Sequence, residues 1–248
     1  YQSKFKLVHD NLLFGNSYLT NLTYPTKINT NLTLDEIYHF SEAKYKLKYK
    51  ENFVCFSPER FVKIENHHIF SNPMKGTIDA SIPNAKQIIL DDEKEAAEHA
   101  TIVDLIRNDL SLVADNVEVT KYRYIDKLKT NDKTLLQVSS EIRGDLKVDF
   151  HQNIGTIFDK LLPAGSICGA PKKKTIDIIL EAENYDRKFY TGIFGVFDGE
   201  NLDSAVMIRF IENDENELFF KSGGGITAKS NAKAEYEELI QKVYVPIY

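Results

Sequence analysis

The chain has 248 residues, of which 42% are hydrophobic and 27% charged, and its formal net charge is −6. These proportions are typical of a globular protein and exclude collagen-like, disordered and coiled-coil classes. The acidic balance disfavours nucleic-acid binding, which calls for a basic face. No apolar run approaches the roughly 20 residues of a membrane-spanning helix, and the first residues show no signal-peptide pattern.

Cysteine usage indicates the cellular compartment. Cys55 and Cys168 are the two cysteines of the sequence, which is too few for a disulfide framework and is typical of a reducing environment. We therefore predict a cytoplasmic enzyme with no nucleic-acid partner and no membrane partner.

Local signals in the first half of the chain predict a short helix, a group of strands and a long helix. Thr33 and Glu36 form a capping box. From residue 52 to residue 70, β-branched and aromatic residues alternate with polar ones, which predicts successive strands. Asp91 and Asp92 are placed to cap a long helix. The apolar residues that recur at helical spacing along it are Ala96, Ala100, Val103 and Ile106.

The second half continues with strands and helices in mixed order. The predicted elements are strands at 117–124 and 135–143, helices at 152–161 and 173–182, strands at 192–197, 204–212 and 217–222, and a helix from Ala232 that ends before Pro246. The last three strands predict an antiparallel meander with Asp198-Gly199 as one turn. This mixed order favours an α+β fold over a doubly wound sheet. Because no linker rich in Gly, Ser or Pro divides the chain, we predict one catalytic domain over residues 1–248.

Two pairs of carboxylates occur at helical spacing. Glu95 and Glu98 are three residues apart on the long helix, and Glu235 and Glu238 repeat the spacing on the last helix, with Lys242 one turn later. Residues three apart share a helix face, so the four carboxylates could converge on Mg²⁺, which prefers oxygen ligands. From spacing alone, solvated helix faces explain the same pattern.

Two stretches rich in small residues have the composition of ligand-binding loops. One runs from Pro163 to Lys172, and the other is Gly223-Gly224-Gly225, which follows a predicted strand. Glycines let backbone N–H groups approach the oxygens of a ligand closely. Neither stretch matches a nucleotide-binding motif, and as isolated motifs ordinary tight loops are the better interpretation.

Lys75 stands beside Gly76 and Thr77 after a predicted strand, and Glu59 lies on the preceding strand region. A lysine that loses its proton becomes a nucleophile, and a carboxyl facing it across a hairpin could act as acid or base. Taken alone, Lys75 is better interpreted as a surface lysine.

Together these segments resemble the chorismate-utilising enzymes, in order and over nearly the whole chain. The matching motifs are Gly15 to Tyr18, Ser57 to Phe61, Pro73 to Thr77, Ala97 to His99, Val103 to Leu105, Arg107 to Leu110, Pro163 to Lys172, Tyr190 to Gly192, Ala205 to Arg209, Gly223 to Ile226 and Glu235 to Glu238. The resemblance implies an α+β fold in which antiparallel sheets form a sandwich with helices packed outside. Since members of the family carry more sequence before the region that matches Tyr1, we expect an upstream part of the N-terminal region to be absent.

The resemblance also implies roles for individual residues. Lys75 and Glu59 correspond to catalytic residues, Glu59 being the general acid. The implied Mg²⁺ ligands, direct or through water, are Glu95, Glu98, Glu235 and Glu238. The implied substrate-binding residues are Arg209, Tyr190, Gly76, Thr77, Gly192, Gly223, Gly224, Gly225 and Lys242.

Lys75 indicates the subfamily. Members that make aminodeoxychorismate carry Lys before Gly-Thr, where the anthranilate and isochorismate enzymes carry Ala. The implied reaction is Mg²⁺-dependent amination of chorismate at C4, on the route to 4-aminobenzoate and folate, with ammonia from a glutamine amidotransferase subunit. Leu19 stands where isochorismate synthases carry the lysine that activates water, which disfavours water as the nucleophile.

Some positions depart from the family pattern. Leu19 also replaces a Gln of the ammonia-using members, Gln137 stands where many members carry His, Cys168 replaces a Thr and Lys229 an Asp. Two alternatives remain open. One is an anthranilate synthase component I, which releases pyruvate, and the other is a non-catalytic protein that only binds chorismate.

Overall fold

The computed structural model describes residues 1–129 and 134–244. The chain divides into two compact units. The first comprises Tyr1–Glu59, Pro163–Phe194 and Ala205–Tyr248, and the second comprises Arg60–Leu162 and Gly195–Ser204. The single catalytic domain predicted over residues 1–248 stays a prediction.

The first unit is built on an antiparallel sheet. Its strands are β1 (Leu19–Ile28), β2 (Tyr45–Tyr49), β3 (Phe53–Ser57), β9 (Gly169–Ala170), β12 (Phe210–Asp214) and β13 (Glu217–Ile226), in the order β2-β3-β12-β13-β1-β9. Its helices are α1 (Gln2–Leu13), α2 (Leu34–Phe40), α6 (Gly165–Cys168), α7 (Lys172–Glu183) and α8 (Ala232–Gln241). The glycines of β13 pair with β1, with Gly224 opposite Leu22.

Apolar side chains hold these helices against the sheet. Phe5 and Val8 of α1 pack with Ile178 of α7 and with Leu22 of β1. A second cluster places α2 against strands β3, β12 and β13, and its members include Leu34, Ile37, Val54, Ile211 and Phe220. Because these side chains are almost completely buried, the strand ends next to them are rigidly placed, which suits a binding site.

The second unit has a sheet of its own. Its strands are β4 (Arg60–Glu65), β5 (His68–Ser71), β6 (Met74–Asp79), β7 (Asp115–Lys129), β8 (Thr134–Asp145), β10 (Ile193–Phe197) and β11 (Leu202–Val206). They follow the order β10-β11-β4-β5-β8-β6. Strands β5 and β6 pair with different parts of one edge of β8, and β7 pairs with its other edge. Its helices are α3 (Ala85–Asp91), α4 (Glu93–Leu110) and α5 (Ile154–Leu161), the last preceded by a 3₁₀ turn at Phe150–Gln152.

Most elements with strong local signals are confirmed. The Thr33 capping box opens α2, Asp92 accepts a hydrogen bond from the backbone N–H of Glu95 at the start of α4, and α8 begins at Ala232. The helix α8 ends at Gln241, ahead of Pro246, which lies outside the described residues. The α+β class with antiparallel sheets is also confirmed, whereas the sandwich arrangement stays a prediction.

The predicted meander is wrong. The stretch 204–212 is not one strand, because the chain leaves the sheet of β11 after Val206 and enters the sheet of β12 at Phe210. Between them Arg209 has a positive φ of 54°, a backbone conformation outside the β region that turns the chain here. Apolar residues stand on both sides of the turn, with Met207 and Ile208 before Arg209 and Phe210 and Ile211 after it, so the sequence shows no break there.

None of the helices in the described ranges is both long enough and apolar enough to cross a membrane.

Candidate active site

Glu59 lies just after β3 in the first unit, and Ser166 of the short helix α6 donates a hydrogen bond of 2.6 Å to its Oε1. The backbone of Glu59 is held at both ends. Its N–H donates to Ser57 Oγ at 3.1 Å, and its carbonyl accepts from Val206 N at 3.2 Å. Burial raises the pKa of the Glu59 carboxyl, while Ser166, Arg209 and Lys242 act in the opposite direction. A carboxyl that keeps its proton to a higher pH is suited to act as a general acid.

The raised pKa predicts a pH-dependent stability. In the unfolded chain the Glu59 carboxyl has the ordinary pKa of 4.5, which is lower than its pKa in the folded protein. As the pH rises above 4.5, the unfolded chain gives up this proton more readily than the folded protein does. Glu59 therefore lowers the free energy of unfolding increasingly until the pH reaches the folded pKa. We expect the stability of Glu59→Gln relative to wild type to increase as the pH rises above 4.5 and to level off above the raised pKa of folded Glu59. Urea unfolding at a series of pH values measures this, and a difference that does not change with pH would contradict it.

Arg209 and Tyr190 lie in segments that are joined by backbone hydrogen bonds. Thr191 N donates to Met207 O at 2.9 Å, and Met207 N donates to Gly192 O at 2.7 Å. Tyr190 is buried, and burial raises the pKa of its hydroxyl so that it remains a donor. The positive charge of Arg209 acts in the opposite direction and lowers the pKa of the same hydroxyl. The first unit therefore brings together the two residues expected to bind one carboxylate.

The glycine strand meets the last helix within the same unit. Lys242 donates to the carbonyl of Gly223 at 3.0 Å and pairs with Glu238 at 2.7 Å. A Cβ on Gly224 would lie 3.6 Å from Glu235 Oε2 and 3.9 Å from Lys242 Nζ. The absence of a side chain at Gly224 thus leaves room beside the Glu235 carboxylate and the Lys242 ammonium group.

Lys75 lies on β6 of the second unit. Its Nζ is 2.8 Å from Glu98 Oε2, a side chain with 10% exposure, whereas exposed Lys94 is 3.8 Å from the other oxygen of Glu98. Thr77 is exposed and pairs across the ladder with Gln137. The second unit therefore brings Lys75, Gly76 and Thr77 onto one short strand beside α4.

The Glu95 carboxylate is the feature of the second unit that best fits a cation. Its Oε2 is buried and has no hydrogen-bond partner among the described residues, and burial raises the pKa of the carboxyl. A buried carboxylate oxygen without a partner is costly unless a ligand satisfies it. Within the described ranges, however, no three His, Cys, Asp or Glu side chains cluster closely enough to hold a metal ion. The Mg²⁺ ligand set stays a prediction.

Substitution of Gly76 by alanine is predicted to destabilise the protein. The φ of Gly76 is +83°, and a Cβ would lie 3.2 Å from Glu95 Oε2. Gly15 is a matched control, because it has a φ of +84° and no atom within 4 Å of a would-be Cβ. We expect Gly15→Ala to lower the free energy of unfolding by about 1 kcal/mol through backbone strain alone, and Gly76→Ala by about 1 kcal/mol more. Urea unfolding compares them, and equal losses would show that crowding against Glu95 is unimportant.

Two buried groups that support the site were not predicted. His99 follows Glu98 on α4 and makes a hydrogen bond of 2.7 Å to Ser140 on β8, and burial together with Arg123 lowers its pKa to about 4. A neutral His99 therefore attaches α4 to the sheet over the physiological pH range. Its position four residues after Glu95 and before buried Ile102 was the available sequence signal.

Arg187 is the second group. Its guanidinium donates to Ile167 O at 3.0 Å, to Asn21 O at 3.0 Å and to Thr191 Oγ1 at 3.4 Å, and it pairs with buried Glu183. It thereby connects the α6 loop, strand β1 and the segment of Tyr190. Glu183 and Thr191 are four residues from Arg187, but Asn21 lies 166 residues away, so the sequence around Arg187 did not reveal the connection it makes.

The family model described as chorismate binding enzyme matches residues 1–247. The chain belongs to this family. An uncharacterised PabA-like protein of Pasteurella multocida is 58% identical over 247 residues, which are 100% of this chain and 76% of that protein. Aminodeoxychorismate synthase component 1 of Salmonella typhimurium is 33% identical over 77% of this chain and 42% of its own length. Anthranilate synthase component I of Streptococcus pneumoniae superposes with a TM-score of 0.80 at 26% identity, over 96% of this chain and 55% of that structure.

These relatives establish a chorismate-utilising enzyme family and its fold. The chain spans about three quarters of the Pasteurella protein but only 42% of the Salmonella synthase and 55% of the Streptococcus structure. Membership therefore confirms the resemblance deduced from the motifs.

Proposed function

We propose that this chain aminates chorismate at C4 to form 4-amino-4-deoxychorismate. The observation that carries the proposal is Lys75, which lies on β6 beside Gly76 and 2.8 Å from Glu98. A lysine at this position is what the resemblance associates with aminodeoxychorismate formation. The Salmonella relative, an aminodeoxychorismate synthase component 1, supports the same reaction.

The proposed reaction proceeds in two substitutions. Lys75 Nζ first loses the proton of its ammonium form to the alkaline medium, and the neutral amine then forms a bond to C2 of chorismate. The two ring double bonds shift, and the C4–O bond breaks. Glu59 supplies a proton so that the hydroxyl leaves as water. Ammonia then bonds to C4, the double bonds shift back and the C2–N bond breaks. Lys75 is released, and the proton that ammonia loses returns the acid to its starting state.

The remaining groups of the proposed site bind charge. Arg209 offers a fork of N–H donors that fits the enolpyruvyl carboxylate, and the buried Tyr190 hydroxyl is a second donor. Lys242 adds positive charge beside the backbone of Gly223 to Gly225. The other proposed substrate-binding residues are Gly192, which is two residues after Tyr190, and Gly76 and Thr77, which follow Lys75. Mg²⁺, when bound, would offset the negative charge of the ring carboxylate, with Glu95, Glu98, Glu235 and Glu238 as its proposed ligands.

The chemistry of the cysteines supports an external source of ammonia. Release of ammonia from glutamine requires a reactive thiolate, and thiolates form readily only where the pKa is low. Cys55 and Cys168 are both buried, and burial raises the pKa of Cys55 to about 12. We therefore propose that a separate glutamine amidotransferase subunit supplies the ammonia, as part of a cytoplasmic route to 4-aminobenzoate and folate.

Product analysis tests the proposal. The protein is incubated with chorismate, Mg²⁺ and ammonium at alkaline pH, with and without a chelator, and products are separated and identified by mass. Aminodeoxychorismate without pyruvate, lost when the metal is removed, is the expected result. Anthranilate with pyruvate would favour an anthranilate synthase, the activity of the Streptococcus relative. Chorismate binding without turnover would favour a binding protein.

A further inference from the structure

We propose that Tyr244 is a positioning residue for Arg209 and thereby sets the affinity for a carboxylate-bearing substrate. The inference rests on the proposed function, in which Arg209 binds a carboxylate of chorismate. Its basis is one contact. The guanidinium carbon of Arg209 lies over the Tyr244 ring, 5.6 Å from the ring centroid, which is within the range of a cation–π interaction.

The segment that carries Tyr244 is held in place by its neighbours. Lys242 donates to the carbonyl of Gly223, and Val243 packs on the core cluster that contains Leu34 and Ile37. Tyr244 N–H donates to Lys242 O at 3.1 Å. Three successive residues therefore connect the glycine strand, the hydrophobic core and Arg209, so the backbone of Tyr244 is held in place although its side chain is 53% exposed.

Arg209 needs such a restraint more than Arg187, the other partly buried arginine of the first unit. Arg187 is held by Glu183 and by carbonyl groups. Arg209, by contrast, has a buried Nε without a hydrogen-bond partner in the described part of the chain. An ion pair would restrain it too, but a protein carboxylate would compete with the substrate. An aromatic ring restrains the guanidinium through its face and supplies no competing acceptor.

The backbone of Arg209 is already fixed. Its φ is 54°, and its carbonyl accepts a hydrogen bond of 3.1 Å from Phe56 N. What remains mobile is the long side chain, whose ordering on binding costs free energy. Contact with Tyr244 reduces that cost before the substrate arrives. The expected signature is a change in binding with little change in the chemical step.

The experiment compares three substitutions at Tyr244. We expect Tyr244→Ala and Tyr244→Leu to raise the chorismate KM, and the Kd measured by isothermal titration calorimetry, by about fivefold with kcat nearly unchanged. Tyr244→Phe keeps the ring and should match wild type. Ile240→Ala removes another partly exposed apolar side chain, on helix α8, and should also match wild type.

The outcomes separate the two proposals. If wild type binds chorismate and Tyr244→Ala and Tyr244→Leu bind it equally well, the positioning role of Tyr244 is overturned and the proposed function stands. The same conclusion follows if Tyr244→Phe is as impaired as Tyr244→Leu, because the ring would then not be the cause. If wild type does not bind chorismate, the proposed function fails and this inference fails with it.

Discussion

Lys75→Ala is expected to lower the rate of aminodeoxychorismate formation by at least about a thousandfold, because the proposed reaction passes through a covalent bond to this nitrogen. Removal of the nucleophile leaves only direct attack by ammonia on chorismate. Lys75→Arg keeps the positive charge beside Glu98 but cannot attack C2, so it should be equally impaired. The rate is measured from the mass-resolved product at saturating ammonium.

Lys94→Ala is the matched control for this prediction. Lys94 also approaches Glu98, at 3.8 Å, but its side chain is 56% exposed and it has no proposed role in the reaction. It should retain nearly full activity. A Lys75→Ala protein as active as Lys94→Ala would remove the covalent step from the proposal.

Trapping provides a second measurement for Lys75. With chorismate and Mg²⁺ but no ammonium, the first substitution stops at the lysine adduct. The intact protein should then gain the mass of chorismate less one water, and the modified peptide should contain Lys75. Lys75→Ala should gain no mass under the same conditions.

Arg187→Ala is expected to lower the free energy of unfolding by about 3–5 kcal/mol, because it leaves the Glu183 carboxylate buried without its cation. Glu183 has 2% exposure, and its carboxylate also accepts hydrogen bonds of 2.8 Å from the backbone and the hydroxyl of Thr23. The loss also frees the carbonyl groups of Ile167 and Asn21 from their donor. Urea unfolding monitored by circular dichroism measures the change.

The matched control is an exposed pair with the same spacing. Lys6 and Asp10 of helix α1 are four residues apart, as are Glu183 at the end of α7 and Arg187 beyond it. The Lys6 and Asp10 side chains, however, are 75% and 56% exposed. Lys6→Ala should change the free energy of unfolding by less than about 0.5 kcal/mol. The double variant Glu183→Leu/Arg187→Met, which removes both charges, should recover part of the stability that Arg187→Ala loses. Equal losses in Lys6→Ala and Arg187→Ala would contradict a structural role for the buried pair.

Elements whose signals are local were predicted from the sequence. The Thr33 capping box and the Asp92 cap act between residues three apart, so the chain contains the whole interaction within one turn. Helix α1 was not predicted, because its N-cap residue, Tyr1, makes no side-chain cap. Strand β1 was missed as well. It is placed by pairing with β13, nearly 200 residues later, and its own residues carry little alternation.

The sequence by itself determined the family, the α+β class and the residue types of the candidate site, because ordered motifs and helical spacing are properties of the chain alone. Only the tertiary structure decided which side chains contact the residues of the candidate site. Lys75 pairs with Glu98, Glu59 accepts from Ser166, and Tyr244 lies over Arg209. These contacts join residues that lie between 23 and 107 positions apart. They exist only once burial and strand pairing have brought those segments together, and neither is encoded in a local pattern.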